Sequence, residues 1–262
     1  MRLEVDGHAV FAATGGRPFD AAKPAIVFIH GAALDHTVWK LQTRYFAWRG
    51  NSVLAVDLPG HGRSEGPPID SLPAMADWVV RLLDAAGLEQ AALVGHSMGA
   101  LIALDAAGRH GARVRALALL GPGYPMRVND VLLNAAKAEL DEAYDMMNVW
   151  GYGRPAQFGR HRMPGLWMMR GGLRLWQCGA PGVLYTDLRA CHVYNGGEAA
   201  AEAVRCPTLA LLGDADLMAP LKLAKAIVSR IKGADVVVLP GAGHIMLEEQ
   251  PDETLDALRR LL

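Results

Sequence analysis

"LVGHSMGALIAL" (Leu93–Leu104) is the stretch on which the reading of the fold turns. An apolar run from Ala91 breaks at Gly95, places one serine between two glycines, and resumes as small and aliphatic residues suited to a helix. A serine hydroxyl is a weak nucleophile at neutral pH. To attack, it needs a base within hydrogen-bond reach and a third group that orients the base. It must also stand at a strand's end rather than inside the sheet. Gly95 and Gly99 remove side chains where a strand-to-helix turn crowds the backbone, and the helix N-terminus favours developing negative charge. The competing use of Ser97 is as a turn residue, and the rest of the chain must decide.

Working outward, "AIVFI" (25–29), "SVLAV" (52–56), "AALVG" (91–95), "VRALALL" (114–120), "TLALL" (208–212) and "DVVVL" (235–239) are strand candidates. Most are apolar on both faces, as strands covered by helices on each side must be. "LPAMADWVVRLLDAAG" (72–87), "ALIALDAAGRH" (100–110) and "LKLAKAIVSRI" (221–231) have helical periodicity. Two alternating runs around Asp6-Gly7 read as an antiparallel hairpin. Strand–helix alternation predicts a mostly parallel sheet with right-handed crossovers. The rhythm fails between Gly123 and Arg205, where helical patches, Gly-Pro breaks and much of the Trp and Met collect. An unstructured loop of that length is improbable, so the segment is expected to be a mainly helical insertion.

Bulk properties narrow the function. The chain has 262 residues, 52% hydrophobic and 20% charged, with a formal net charge of -1. That balance fits an ordinary folded protein and argues against a nucleic-acid binder working by bulk electrostatics. Cys178, Cys191 and Cys206 show no metal-ligand spacing and are expected to be reduced thiols in a cytoplasmic protein. The first residues alternate rather than forming an apolar signal segment, and no run approaches the ~18 apolar residues that cross a bilayer. No metal, cofactor or membrane association is expected, and either a monomer or a homodimer is compatible.

Four motifs in register carry a resemblance. "FIHGAALDHTVW" (28–39), "DLPGHGRS" (57–64), "GHSMG" (95–99), and the pair "LLGDADLMAP" (211–220) with "PGAGHIMLEEQP" (240–251) resemble, in order, the functional loops of the α/β-hydrolase fold family. The resemblance implies an α/β core at 1–122 and 205–262 with a helical cap at 123–204. It also implies a triad of Ser97 as nucleophile, His244 as base and Asp216 as the orienting acid, selected over Asp214 by the pattern G-x-x-D-x-x-x-P on Gly213, Asp216 and Pro220. His30, His61 and His96 lie in family-like turns where packing or loop hydrogen bonding is expected. His8, His36, His110 and His161 have no motif support. The oxyanion hole would use the backbone N–H groups of Met98 and Ala32, with Ala33 the next candidate.

Serine at the elbow argues against relatives that use a carboxylate nucleophile, and "GAAL" after His30 is unlike the "GGG" loop of many lipases. The expected activity is hydrolysis of carboxylic esters of small to medium acyl groups through an acyl-serine. The same triad serves C–C bond hydrolysis, enol-lactone hydrolysis and perhydrolysis, and a receptor without turnover is the reading from another class. Met146, Trp150, Trp167, His192 and Leu217 are the candidate substrate contacts, and Asp187 is a further residue that could reach the pocket. Arg154, Arg160, Arg162, Arg170 and Arg174 occupy an acid-free stretch that could receive an anionic substrate or carrier, though a solvated surface is the simpler use.

Overall fold

The computed structural model describes residues 1–159 and 166–262. Its strands are β1 (Arg2–Val5), β2 (His8–Ala13), β3 (Ala25–Ile29), β4 (Ser52–Val56), β5 (Ala91–His96), β6 (Val114–Leu120), β7 (Thr208–Gly213) and β8 (Asp235–Leu239). Its helices are α1 (Lys40–Trp48), α2 (Leu72–Ala85), α3 (Met98–Arg109), α4 (Asp130–Lys137), α5 (Asp141–Gly151) and α6 (Arg154–Gln157). They continue with α7 (Met168–Gln177), α8 (Val183–Val193), α9 (Gly197–Ala203), α10 (Leu221–Val228), α11 (Met246–Glu249) and α12 (Pro251–Leu258). None is long and apolar enough to cross a membrane, among the described residues.

The strands form one eight-stranded sheet in the order β1-β2-β4-β3-β5-β6-β7-β8. From β4 through β8 every pairing is parallel, whereas β1 and β2 run antiparallel. This is the α/β-hydrolase architecture. Every residue of β3, β4, β5 and β7 is buried, which is why these strands read as continuous apolar runs. The edge strand β1 alternates instead. Asp6 and Gly7 join β1 to β2 with φ of 53° and 78°. Two left-handed central residues are the type I′ geometry that matches strand twist, as the Asp-Gly pair predicted.

Topology places the site. After β3 the sheet grows one way to β4, and β5 then pairs on the other side of β3. The chain thus reverses its direction of growth at β3/β5, and ligands in open α/β sheets collect at the C-terminal ends of strands beside such a point. The loop after β3 and the turn after β5 are therefore neighbours. The next two strands outward from β6, β7 and β8, end on the same edge.

Between β6 and β7 the described residues include six helices, α4 to α9. "VLLNAAKAELDEAYDMM" reads as continuous helix but divides at Glu139, whose φ of 54° ends α4 and redirects the chain into α5. The apolar faces Leu132–Ala135–Ala136 and Ala143–Met147 are buried after that turn. At the other end of the segment α9 lies on α3. A Cβ at Gly108 would come within 2.7 Å of the Ala200 backbone, so that approach requires glycine.

Candidate active site

Ser97 sits between β5 and α3 with φ 56° and ψ -118°, a backbone conformation that L-residues rarely adopt. Its N–H donates to Leu120 O of β6 at 2.9 Å. The flanking glycines are dictated by backbone contact. A Cβ at Gly95 would overlap Gly99 O, and one at Gly99 would overlap Ile29 O of β3. Only glycine lets α3 begin against the end of β3. The Ser97 side chain makes no capping bond to its helix, so its hydroxyl is left to the cavity it lines.

Asp216 follows β7. Its Oδ1 accepts from Met218 N at 2.9 Å and Ala219 N at 2.7 Å, and its Oδ2 accepts from His244 Nδ1 at 2.7 Å. The carboxylate cannot donate, so the proton of a neutral His244 lies on Nδ1 and Nε2 is left as a base. That Nε2 is buried, without a partner among the described residues, and its ring lines the same cavity as Ser97. Asp214 plays a different part, because its Oδ1 accepts from Gly241 N and ties the loops after β7 and β8 together. The three residues singled out by motif, Ser97, Asp216 and His244, are thus brought to one strand edge.

His244 is held from behind. Its N–H donates to Gly151 O of α5 at 2.8 Å, and its carbonyl accepts from His96 Nε2 at 2.9 Å. Burial and the neighbouring His244 lower the His96 pKa to about 3, so His96 is a neutral Nε2–H donor and not a competing base. Gly121, φ 58°, lies against the other side of the ring: a Cβ there would stand 3.1 Å from His244 Nδ1 and Cε1. On α11, Glu249 Oε2 accepts from Gly243 N and Gly153 N, each at 3.0 Å, joining the His244 loop to the segment after α5. Glu249 falls within the quoted stretch 240–251, but nothing in its spacing marks it for this role.

The loop after β3 is fixed by histidines. His30 Nδ1 donates to Gly31 O at 2.8 Å while its Nε2 accepts from Leu58 N at 3.1 Å. Burial, with His61 nearby, lowers its pKa to about 4, which keeps the ring neutral. Leu34 N donates to Gly31 O and closes a turn with Ala33 at φ 51°. The Ala33 N–H is already used, donating to Asp187 Oδ2 at 2.8 Å. Ala33 is therefore removed as the second oxyanion candidate. The N–H groups of Ala32 and Met98 have no acceptor among the described residues.

A cavity of about 300 Å³ opens on Ser97 and His244. Its walls include Ala32, Met126, Arg127, Leu132, Met147, Trp150, Leu188, Cys191 and Leu217. Of the five candidate contacts, Trp150 and Leu217 line this cavity. Met146, Trp167 and His192 do not line the cavity. Met147 and Trp150 share one face of α5 at i,i+3, which turns Met146 away. Leu188 and Cys191 do the same on α8, and His192 Nδ1 instead bonds to Val128 O at 3.2 Å. Trp167 precedes α7 and is 54% exposed. Arg154, Arg170 and Arg174 are exposed and off the cavity, and Arg160 and Arg162 lie outside the described residues, as does His161. Met126 to Asn129, which form one wall, have neither periodicity nor a motif to announce them. Asp35, His36 and Asp57 bring possible ligand atoms within 4.8 Å of one another, but Asp35 already caps Thr37 N and His36 is bonded to Asp57.

A serine, a carboxylate-held histidine and two free amides on one strand edge accord with what the chain matches as a whole. The model of the alpha/beta hydrolase family matches residues 26–257. The chain belongs to that family. It is 29% identical over 248 residues to the AB hydrolase superfamily protein YisY of Bacillus subtilis, covering 87% of each. It is 30% identical over 250 residues to a non-heme haloperoxidase of Rhodococcus erythropolis, covering 87% of this chain and 88% of the relative. Among solved structures, the enol-lactonase from Burkholderia xenovorans LB400 has a similar fold, with a TM-score of 0.86 at 22% identity over 99% of this chain and 98% of that one. Hydrolytic chemistry is the activity this membership supports.

Proposed function

We propose that this hydrolase cleaves carboxylic esters of small to medium acyl groups through an acyl-serine intermediate, with residues 123–204 acting as a helical cap over the site. The observation that carries the reading is the His244 ring. Asp216 fixes its Nδ1 while its unpartnered Nε2 faces the cavity that Ser97 lines. His244 Nε2 takes the Ser97 proton as Oγ attacks the ester carbon. The carbonyl oxygen becomes an oxyanion that the Ala32 and Met98 N–H groups receive. Each such donor is typically worth ~3 kcal/mol in the barrier. The alkoxide leaves with the proton from His244, and water, deprotonated by the same nitrogen, releases the acid. Asp216 orients the ring and stabilises its charged form throughout.

Cavity size and lining support the substrate class. A volume of about 300 Å³ is at the lower end for small-molecule pockets and suits a short acyl chain. Arg127 is the side chain with a permanent charge on the wall, and its guanidinium donates to His192 O and to no carboxylate among the described residues. Arg127 is exposed, and what favours an ester with an acidic end is its place on the cavity wall, where Arg154, Arg170 and Arg174 are not. A second reading keeps the acyl-serine but has hydrogen peroxide replace water, giving a peracid. The haloperoxidase relative supports testing it.

The test is rapid mixing with p-nitrophenyl esters of increasing chain length, with neutral and carboxylate-bearing acyl groups. A burst of nitrophenol close to one per site, absent in Ser97→Ala, is expected, with salt weakening any preference for the charged ester. Undiminished turnover by Ser97→Ala would overturn the nucleophile assignment. Ligand-induced thermal stabilisation with no product would instead favour a receptor.

A further inference from the structure

Asp187 in "TDLRACH" has no part in the triad, yet its side chain is completely buried on α8. A buried carboxylate is strongly destabilising unless it is paired and hydrogen-bonded. Among the described residues Asp187 has two partners, both on its Oδ2: Ala33 N at 2.8 Å and His61 Nε2 at 2.8 Å. The other His61 nitrogen, Nδ1, faces Pro59 O at 2.9 Å. A carbonyl can only accept, so Nδ1 carries a proton, and the second proton lies between Nε2 and the carboxylate. The pair shares one proton across the Nε2–Oδ2 contact. One side chain thus joins the loop after β3, the loop after β4 and helix α8.

The bond to Ala33 bears on the turn's conformation. Residues Gly31 to Leu34 form a turn closed by Leu34 N and Gly31 O, with positive φ at Ala33 but not at Ala32. That is the type II pattern, which differs from type I by a flip of the central peptide, here Ala32–Ala33. Type II favours glycine at the third position, and alanine there is strained by its Cβ. Something must hold the flip. Asp187 does so by accepting from the flipped N–H; in the type I orientation the Ala32 carbonyl oxygen would face the carboxylate instead.

We propose that Asp187, backed by His61, is a positioning residue that locks the oxyanion loop in the flipped turn, so that docking of α8 sets the Ala32 donor. The inference rests on the serine-hydrolase reading given above. Leu188 and Cys191 on the same helix line the substrate cavity, so one element shapes the acyl wall and the oxyanion loop together. The Ala32 N–H belongs to the preceding peptide, so the lock acts on it through the placement of the whole turn: a displaced Ala32 N–H weakens oxyanion binding but leaves substrate binding little changed.

The experiment compares Asp187→Ala and Asp187→Asn using p-nitrophenyl butyrate and a trifluoromethyl ketone, which forms an oxyanion adduct on serine. With both partners on one oxygen, Asn keeps that oxygen as the acceptor for Ala33 N–H, and His61, protonated on Nε2, can still donate to it. For Asp187→Ala, kcat falls about 10- to 100-fold with KM changed less than about threefold, below the roughly 10²–10³ expected for deleting a donor. Ketone affinity falls in parallel with kcat, and Asn restores most of both. A folded Asp187→Ala with wild-type kcat would overturn the proposal, as would an Asn variant no better than Ala. Amide exchange separates this from the parent reading: Ala33 N–H is protected in wild type and Asn, and exposed in Ala. If wild type forms no acyl-serine, the hydrolase reading fails and Ala33 exchange alone decides the lock, unchanged protection in Asp187→Ala sinking it.

Discussion

At the scale of single residues, the centre of the site stores strain in its backbone. Ser97 at φ 56°, ψ -118° occupies a region where a non-glycine residue costs of order 1–3 kcal/mol. Its hydroxyl makes no cap bond to α3, so losing the side chain forfeits no hydrogen bond of that kind. Glycine carries a larger unfolded-state entropy, worth ~0.4–1 kcal/mol against it. The balance favours glycine. Ser97→Gly should therefore be more stable than wild type by about 1 kcal/mol, raising Tm by roughly 2–4 °C in a chain of this size. Ser97→Ala retains the Cβ and should gain nothing. Urea midpoints of the three proteins check this, and equal midpoints for Gly and Ala would mean that the elbow is relaxed.

At the scale of elements, strands β3 to β7 were legible because burial on both faces writes a nearly unbroken apolar run, the half-exposed edge strand β8 because of its run of valines, and the Asp6-Gly7 hairpin because left-handed residues are few. The loops after β5, β7 and β8 were legible through motif spacing. What could not be read was contact between elements with no periodic signal. Asp187, Glu249 and the wall from Met126 to Asn129 owe their places to partners far away in sequence, and the Glu139 turn interrupts what looks like one helix. Glu249 gives a test at this scale. Its carboxylate joins α11, the His244 loop and Gly153, within electrostatic reach of Asp216, His244 and Tyr152. Burial pushes its carboxyl up to about 7 from 4.5, against the pull of the two N–H groups. The folded state therefore holds this proton more tightly than the unfolded chain. Its contribution is greatest below pH 4.5 and falls as pH rises through about 7. Glu249→Gln, which keeps an acceptor for both amides, should remove that slope. Urea midpoints at about pH 5 and about pH 7.5 should drop in wild type more than in the variant, and identical drops would show that Glu249 titrates normally.

At the scale of the whole molecule, the cavity belongs to no single element. Ala32 comes from the end of β3, Ser97 from β5, Met126 and Arg127 from beyond β6, Trp150 from α5, Leu188 from α8, Leu217 from beyond β7 and His244 from beyond β8. It exists only when the sheet edge and the helical segment between β6 and β7 are both in place. On the proposed ester hydrolysis, the sheet edge supplies the reacting groups and the helices set the length of what fits. Trp150 is half-buried and is the largest side chain on that wall, next to the Gly151 carbonyl that receives His244 N–H. Trp150→Ala should open the acyl side and leave the triad contacts, which run through the backbone of Gly151, intact. Each buried methylene is worth ~0.8 kcal/mol, so four more in an octanoate than in a butyrate could gain at most about 3 kcal/mol. Partial access predicts that kcat/KM for p-nitrophenyl octanoate relative to butyrate rises about tenfold, or ~1.4 kcal/mol. The change should lie in KM for the long ester, with kcat for butyrate within about threefold of wild type. A folded variant with an unchanged ratio would place the acyl chain on another wall, with Leu132 and Leu217 the next substitutions to make.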